Sequence, residues 1–367
     1  MCKVRARPLI NVDGGRQPKA LHVVDTSMNN GLVGFLADGL IDLSVNRFES
    51  EIFDMDIPSL KKVELHCHID GIGHPELLRE LQQRGWAVGV PPEVLAGAYP
   101  VHDFDSFVHW METAEGLEGS LSGFLPLLQL HLERLRQQNV VYTEIMIGSS
   151  ELHPDKAQMM AEFQHFKSQI RDMSQGEIQV EFLQAFARQI SPERLKNLSE
   201  RILMLFEAGL IRGIAIAGPE KGHPLKPHHR TLARLHAAGV PIEIHAGEWC
   251  GPESVREALE YGFPDRIGHG VAVFQDQELL KSVQDRQIHL EICLTSNLKT
   301  GSVAHLHEHP VRQARELGLN FSINTDDPGA FECSMNSEYQ LLADHFGFQA
   351  ADFERVYQNS LQARFGK

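Results

Sequence analysis

Lys62-Val63-Glu64-Leu65-His66-Cys67-His68 is the stretch on which the fold turns. It starts as an apolar, strand-like run and ends in two histidines one residue apart. Alternate side chains of a strand share a face, so His66 and His68 can reach one point while Cys67 points away. Alone, such a pair is a metal site, a buried barrel layer or a surface pair. The rest of the chain has to decide.

Working outward, three more segments end in groups of the same kind. They are His245-Ala246-Gly247-Glu248, His269 between Gly268 and Gly270, and Asp326-Asp327 ahead of Pro328. The runs before His245 and Asp326 are apolar, and His269 follows the short Arg266-Ile267-Gly268. A parallel β/α barrel delivers chemistry in this way, one strand end at a time to a common rim. Strand-like runs fall at 62–68, 140–147, 178–186, 211–217, 240–245, 266–269, 288–294 and 320–324. Helical patterns lie between them at 75–84, 124–138, 154–173, 192–208, 226–238, 252–261, 275–285 and 311–317. Pro75, Pro154, Pro192 and Pro252 open four of these, and Gly209, Gly239, Gly262 and Gly318 follow helical ends. Eight alternating units predict a (β/α)8 TIM barrel over residues 58–367. Residues 99–123 are an extra, helical segment after the first strand, on the side where active-site loops sit, and a candidate lid. Within it, 104–111 is a helix-like stretch that would place Phe107, Val108 and Met111 over a ligand.

Residues 1–57 read differently. Their first 20 residues carry five cations against Asp13 alone, with no apolar run to make a secretory signal. They are expected to be an N-terminal extension with little order, an overlong start or a short element packed on the barrel, with a transit peptide as the lesser alternative.

The whole chain of 367 residues carries a formal charge of −15, which lacks the electrostatic footprint of a nucleic-acid binder. No apolar run is long enough for a membrane span. The five cysteines are scattered without a CxxC pair, so a reducing, cytoplasmic setting is expected. With 20 histidines, spacing and context must carry the argument rather than number. Three imidazoles with a carboxylate beyond the ligand set suit zinc hydrolysis, and the adjacent acids Asp326 and Asp327 call for a cation or donors if buried.

The segments Lys62–Gly71, His245-Ala246-Gly247-Glu248, Arg266-Ile267-Gly268-His269-Gly270 and Ser322–Pro328 resemble the adenosine deaminase family of metal-dependent hydrolases. The likeness runs from about residue 60 to the C-terminus. It implies that His66, His68, His245 and Asp326 hold one zinc ion per chain, with His68 also bordering the substrate. It implies that His269 orients and helps deprotonate the attacking water, and that Glu248 protonates purine N1. Asp327 would hold the attacking oxygen and the N7 edge, the backbone of Gly218 would meet N3, and Asp70 would accept from the ribose 5′-hydroxyl. The implied partner is a small purine nucleoside, adenosine above all, converted to inosine and ammonia.

Asp70 favours a nucleoside, since related adenine deaminases usually show Glu there. Ala215, Pro219, Leu294 and Met146 depart from common family residues, which leaves adenine, a 5′-modified adenosine or aminodeoxyfutalosine as alternatives. A purine-binding barrel without turnover is the reading from another class, and the complete acid and ligand set argues against it. The H-x-E…P-C-x-x-C signature of base-editing deaminases is absent. The basic loop 221–230 follows the fourth strand and reads as a solvated loop, or as a contact for an anionic substrate group.

Overall fold

The computed structural model describes residues 55–85, 101–103, 105–107, 109, 121–150 and 152–366, with three short strands nearer the N-terminus. The chain divides into two compact units, Met1–Met55 and Asp56–Lys367. In the first, β1 (His22–Val24), β2 (Val33–Leu36) and β3 (Gly39–Ile41) form an antiparallel sheet in that order. The expectation of little order over residues 1–57 otherwise falls outside the described residues.

The second unit is built on eight parallel strands. They are β4 (Lys62–His68), β5 (Val140–Ile147), β6 (Gln179–Ala187), β7 (Gly213–Ala217), β8 (Ile242–Ala246), β9 (Arg266–His269), β10 (His289–Ile292) and β11 (Phe321–Ile323). Each pairs with the next in sequence. Cys67 pairs with Asp326 in parallel register, and two bonds join the edges: His68 N–H to Asp326 O at 2.9 Å, Asp326 N–H to His66 O at 3.0 Å. The sheet closes into a (β/α)8 barrel, and it closes at the two segments that end in candidate ligands.

Helices α1 (Pro75–Gln83), α2 (Leu125–Gln137), α3 (Lys156–Ser174), α4 (Pro192–Glu207), α5 (His229–Ala237), α6 (Pro252–Glu257) and α7 (Gln277–Asp285) separate the strands, followed by α8 (Leu294–Lys299) and α9 (Val311–Glu316). Pro75, Pro192 and Pro252 open their helices as expected, where a missing N–H costs nothing. Pro154 lies outside its helix, because the Asp155 side chain accepts from Gln158 N–H and caps α3.

Several elements differ from the sequence reading. The seventh barrel strand stops at Ile292, and Leu294 opens α8, whose first turn is held by the buried Glu338 carboxylate accepting from Thr295 N–H at 3.1 Å. The helix from Pro252 ends at Glu257 and widens into a π turn over Ala258–Gly262. Two helices follow the last strand that the sequence patterns did not single out, α10 (Met335–Phe346) and α11 (Ala350–Ala363), the latter packing on β11 and β4.

Beyond α11 the tail turns under the barrel. Phe365 N–H donates to Glu144 Oε1 at 2.7 Å, and the Phe365 ring lies 3.6 Å from the Arg266 guanidinium. Arg266 reaches Glu144 on β5 at 2.7 Å and Glu291 on β10 at 2.6 Å, spans that only the barrel interior allows. The floor of the barrel is therefore a buried charge network rather than an apolar plug.

Candidate active site

Four ligand-capable side chains converge above this floor. His66 and His68 close β4, His245 lies in β8, and Asp326 follows β11. His68 Nε2 is 3.1 Å from His245 Nε2, and Asp326 Oδ1 lies 3.3 Å from His66 Nε2 and 3.4 Å from His68 Nε2. One donor atom from each of the four lies within 4.8 Å of all the others. Ligands bonded tetrahedrally to zinc at ~2.0 Å would stand ~3.3 Å apart, so the spacing suits one ion.

The electrostatics fit a cation as well. His66 Nε2 is buried with no hydrogen-bond partner. Burial opposes charge on His66, but Asp326 and Glu291 outweigh it and pull its pKa well up. Burial pushes His68 and His245 down to about 3, leaving them neutral, as ligands must be. Burial would raise Asp326, but the surrounding histidines hold it well below the usual carboxylate range. The site thus draws positive charge to the point where these atoms meet.

Carboxyl groups stand behind the far nitrogens of two of these rings, with a hydrogen bond formed at His66. His66 Nδ1 is 2.6 Å from Glu291 Oε2, and His245 Nδ1 is 3.0 Å from Glu243 Oε1. At His66 the Glu291 carboxylate fixes which nitrogen carries hydrogen and aims the other outward. Ser296 Oγ donates to Asp326 Oδ2 at 2.7 Å. A Cβ on Gly268 would lie 2.4 Å from Glu243 Oε1 and 2.8 Å from His66 Cε1, so glycine there makes room for the layer that supports the ligands.

His269 and Asp326 share an unusual backbone, with φ of +60° and +65°. Non-glycine residues in the left-handed region cost about 1–3 kcal/mol and cluster where chemistry requires the geometry. His269 Nδ1 accepts from Asn297 Nδ2 at 3.1 Å, which leaves hydrogen on Nε2. That atom faces Glu248 Oε2 at 3.4 Å and Asp326 Oδ2 at 4.0 Å. Burial lowers the His269 pKa well below its usual value, so the ring is neutral. The Glu248 carboxyl is raised well above the ordinary range by burial first, then by Asp326 and Glu220. Asp327 is raised by burial, Asp326 and Asp70, and its Oδ1 is buried without a partner.

A cavity of about 240 Å³ collects these groups: His68, Asp70, Gly218, His245, Glu248, His269, Asp326 and Asp327 line it, with Phe107 and Phe331 among its apolar walls. The Phe107 and Phe331 rings stack at 5.2 Å. Val108, Met111 and most of 99–123 lie outside the described residues. No residue of the basic loop 221–230 lines the cavity. His228 turns inward, bonded to Arg188 O at 3.2 Å. Every proposed site residue above the barrel floor thus borders the ligand cluster or the cavity.

The supporting residues Glu243, Glu291, Ser296, Asn297 and Glu220 are not singled out by the sequence reading. For Glu243 a signal existed: an acid two positions before His245 in a buried strand shares its face.

Fold and site together describe a parallel β/α barrel whose rim carries a His/Asp cluster that could hold a metal ion. Residues 61–367 match the family model described as adenosine deaminase, and the chain belongs to that family of metal-dependent hydrolases acting on carbon–nitrogen bonds. It is 32% identical over 313 residues to an adenine deaminase of Rhizobium leguminosarum bv. trifolii (strain WSM2304), covering 83% of this chain and 95% of that protein. An adenine deaminase of Sinorhizobium fredii (strain NBRC 101917 / NGR234) is 31% identical over 310 residues, covering 83% and 94%. Among solved structures, an adenine deaminase from Arthrobacter aurescens superimposes with a TM-score of 0.72 at 23% identity, covering 84% of this chain and 95% of that one. An Arabidopsis N6-mAMP deaminase gives 0.70 at 24% identity, covering 85% and 95%. A Burkholderia ambifaria amidohydrolase with bound Zn gives 0.71 at 22%, covering 85% and 87%.

Proposed function

We propose that this chain deaminates a neutral 6-aminopurine, adenosine foremost, to the 6-oxo product and ammonia, with one zinc ion held by His66, His68, His245 and Asp326. The observation that carries this is the juxtaposition of the Glu248 carboxyl and the His269 ring, 3.4 Å apart, over that ligand cluster in one cavity. Zinc, when bound, lowers the pKa of water to about 7 and so supplies the nucleophile at neutral pH.

The chain's own residues do the rest. Glu248 enters protonated and gives its proton to purine N1, which makes C6 electrophilic. His269 presents Nε2–H toward the attacking oxygen and orients it. Asp327, whose carboxyl burial pushes toward the neutral form, donates to N7, an acceptor in the substrate. The Gly218 N–H meets N3, Asp70 accepts from the 5′-hydroxyl, and His68 walls the approach to C6. Hydroxide adds at C6, the added oxygen passes its remaining hydrogen to the amino group, which leaves as ammonia as the C6 carbonyl forms, and the proton lost from the water restores Glu248.

Charge supports a substrate without phosphate. The described lining of the cavity has no Lys or Arg, and the neighbouring cavity of about 570 Å³ that shares Glu248, Trp249 and Thr300 carries Asp103 and Asp105. A second reading, free adenine, is favoured by the relatives named adenine deaminase. Ammonia release from adenosine, adenine and 5′-modified adenosines, compared as kcat/KM, separates them. Adenosine at least tenfold ahead upholds the nucleoside, and adenine ahead gives the second reading.

A further inference from the structure

We propose that Glu220 is a positioning residue for Glu248, its buried carboxylate fixing the backbone that carries the acid; the inference rests on the deaminase reading above. Glu220 follows β7 and is 5% exposed. Gly247 N–H donates to its Oε2 at 2.8 Å, and Glu248 N–H and Trp249 N–H donate to Oε1 at 2.9 and 2.7 Å. The Ser254 hydroxyl, in the first turn of α6, donates to Oε2 as well. Three successive N–H groups form a concave anion site, and here the protein fills it with its own carboxylate rather than a ligand.

The opposite side of the same loop is also held. The Arg188 guanidinium donates to His245 O, and Ala272 N–H donates to Gly247 O at 2.9 Å. Gly247 sits at φ +70°, and a Cβ there would lie 2.6 Å from Val255 Cγ2, so the chain can follow only a narrow path. Residues 245–249, from a ligand of the cluster to the acid, are clamped from both faces.

Glu220 does not line the cavity, and both of its oxygens are engaged by loop donors, so it acts through Glu248. Its charge also adds to burial and Asp326 in keeping the Glu248 proton in place. Glutamine would offer one acceptor oxygen to the four donors and turn N–H groups toward the rest.

The test is Glu220→Gln in the full-length, zinc-loaded protein. Measured are kcat and KM for adenosine and adenine, zinc per chain, and amide hydrogen exchange across residues 246–251. Expected are a fall in kcat of about a hundredfold, KM within about threefold, unchanged zinc and faster exchange at 247–249. An unchanged kcat, or a kcat that falls only in proportion to lost zinc, overturns the proposal. Ser254→Ala, which removes one donor, gives a smaller fall in kcat and serves if the first variant does not fold; an unchanged kcat there overturns the proposal. Should the unsubstituted protein release ammonia from neither purine, the deaminase reading has failed, and exchange alone decides: faster exchange in Glu220→Gln upholds the anchoring, unchanged exchange overturns it.

Discussion

His66 Nδ1 lies 2.6 Å from Glu291 Oε2, and neither side chain has solvent exposure. Burial would protonate Glu291, but Arg266 and His66 hold its pKa down to about 2. The carboxylate therefore stays charged, keeps hydrogen on Nδ1 and turns Nε2 toward the ligand cluster. Glu291→Gln should weaken metal binding by about 10–100-fold, read by competition with a chelator. Affinity equal to that of the unsubstituted protein would remove Glu291 from the support of the site.

Glu248 touches the reacting purine in the proposed chemistry and ligates nothing. Glu248→Gln should keep the fold and one zinc per chain while kcat drops by about 10²–10⁴-fold. Turnover near that of the parent, with metal retained, would take Glu248 out of the mechanism.

The pH profile follows from the same group. Glu248 acts as an acid, so the active fraction is the protonated one, and raising pH through its pKa removes activity. Burial, Asp326 and Glu220 push that pKa well above 4.5. The zinc-saturated enzyme should hold kcat/KM through neutral pH and lose it on the alkaline side. A decline centred near the ordinary glutamate value of about 4.3 would mean that Glu248 is not held protonated.

Phosphate should be rejected. With Asp103 and Asp105 lining the neighbouring cavity and no cation in the described lining, AMP brings like charge to the site. Its kcat/KM is expected at least tenfold below that of adenosine, with the gap narrowing as salt screens the repulsion. Equal rates at low salt would contradict the charge argument.

The barrel was legible because strand and helix patterns alternate with short connections, and because each ligand-bearing segment stands at a strand end. His66, His68, His245, His269 and Asp326 could be picked out as candidates for that reason, and the family resemblance chose the proposed ligands among them. What supports them was not: Glu291 and Arg266 become partners of His66 and Glu144 only when strands distant in sequence face one another inside the barrel. Glu220 is one acid in a polar loop until the fold sets three N–H groups of another loop against it. The strained backbone of His269 and Asp326 leaves no mark in composition. Helices α10 and α11 follow the last strand, where the alternation that revealed the other units has no further strand to mark them.

The most direct measurement is the fall in ultraviolet absorbance as purified, zinc-loaded protein is mixed with adenosine, repeated after removal of the metal by a chelator and again after zinc is restored. Expected are rapid loss of the adenosine signal, its abolition on chelation and its return with one equivalent of zinc. Deamination that continues at full rate in metal-free protein would contradict the assignment of His66, His68, His245 and Asp326 as the centre of the chemistry.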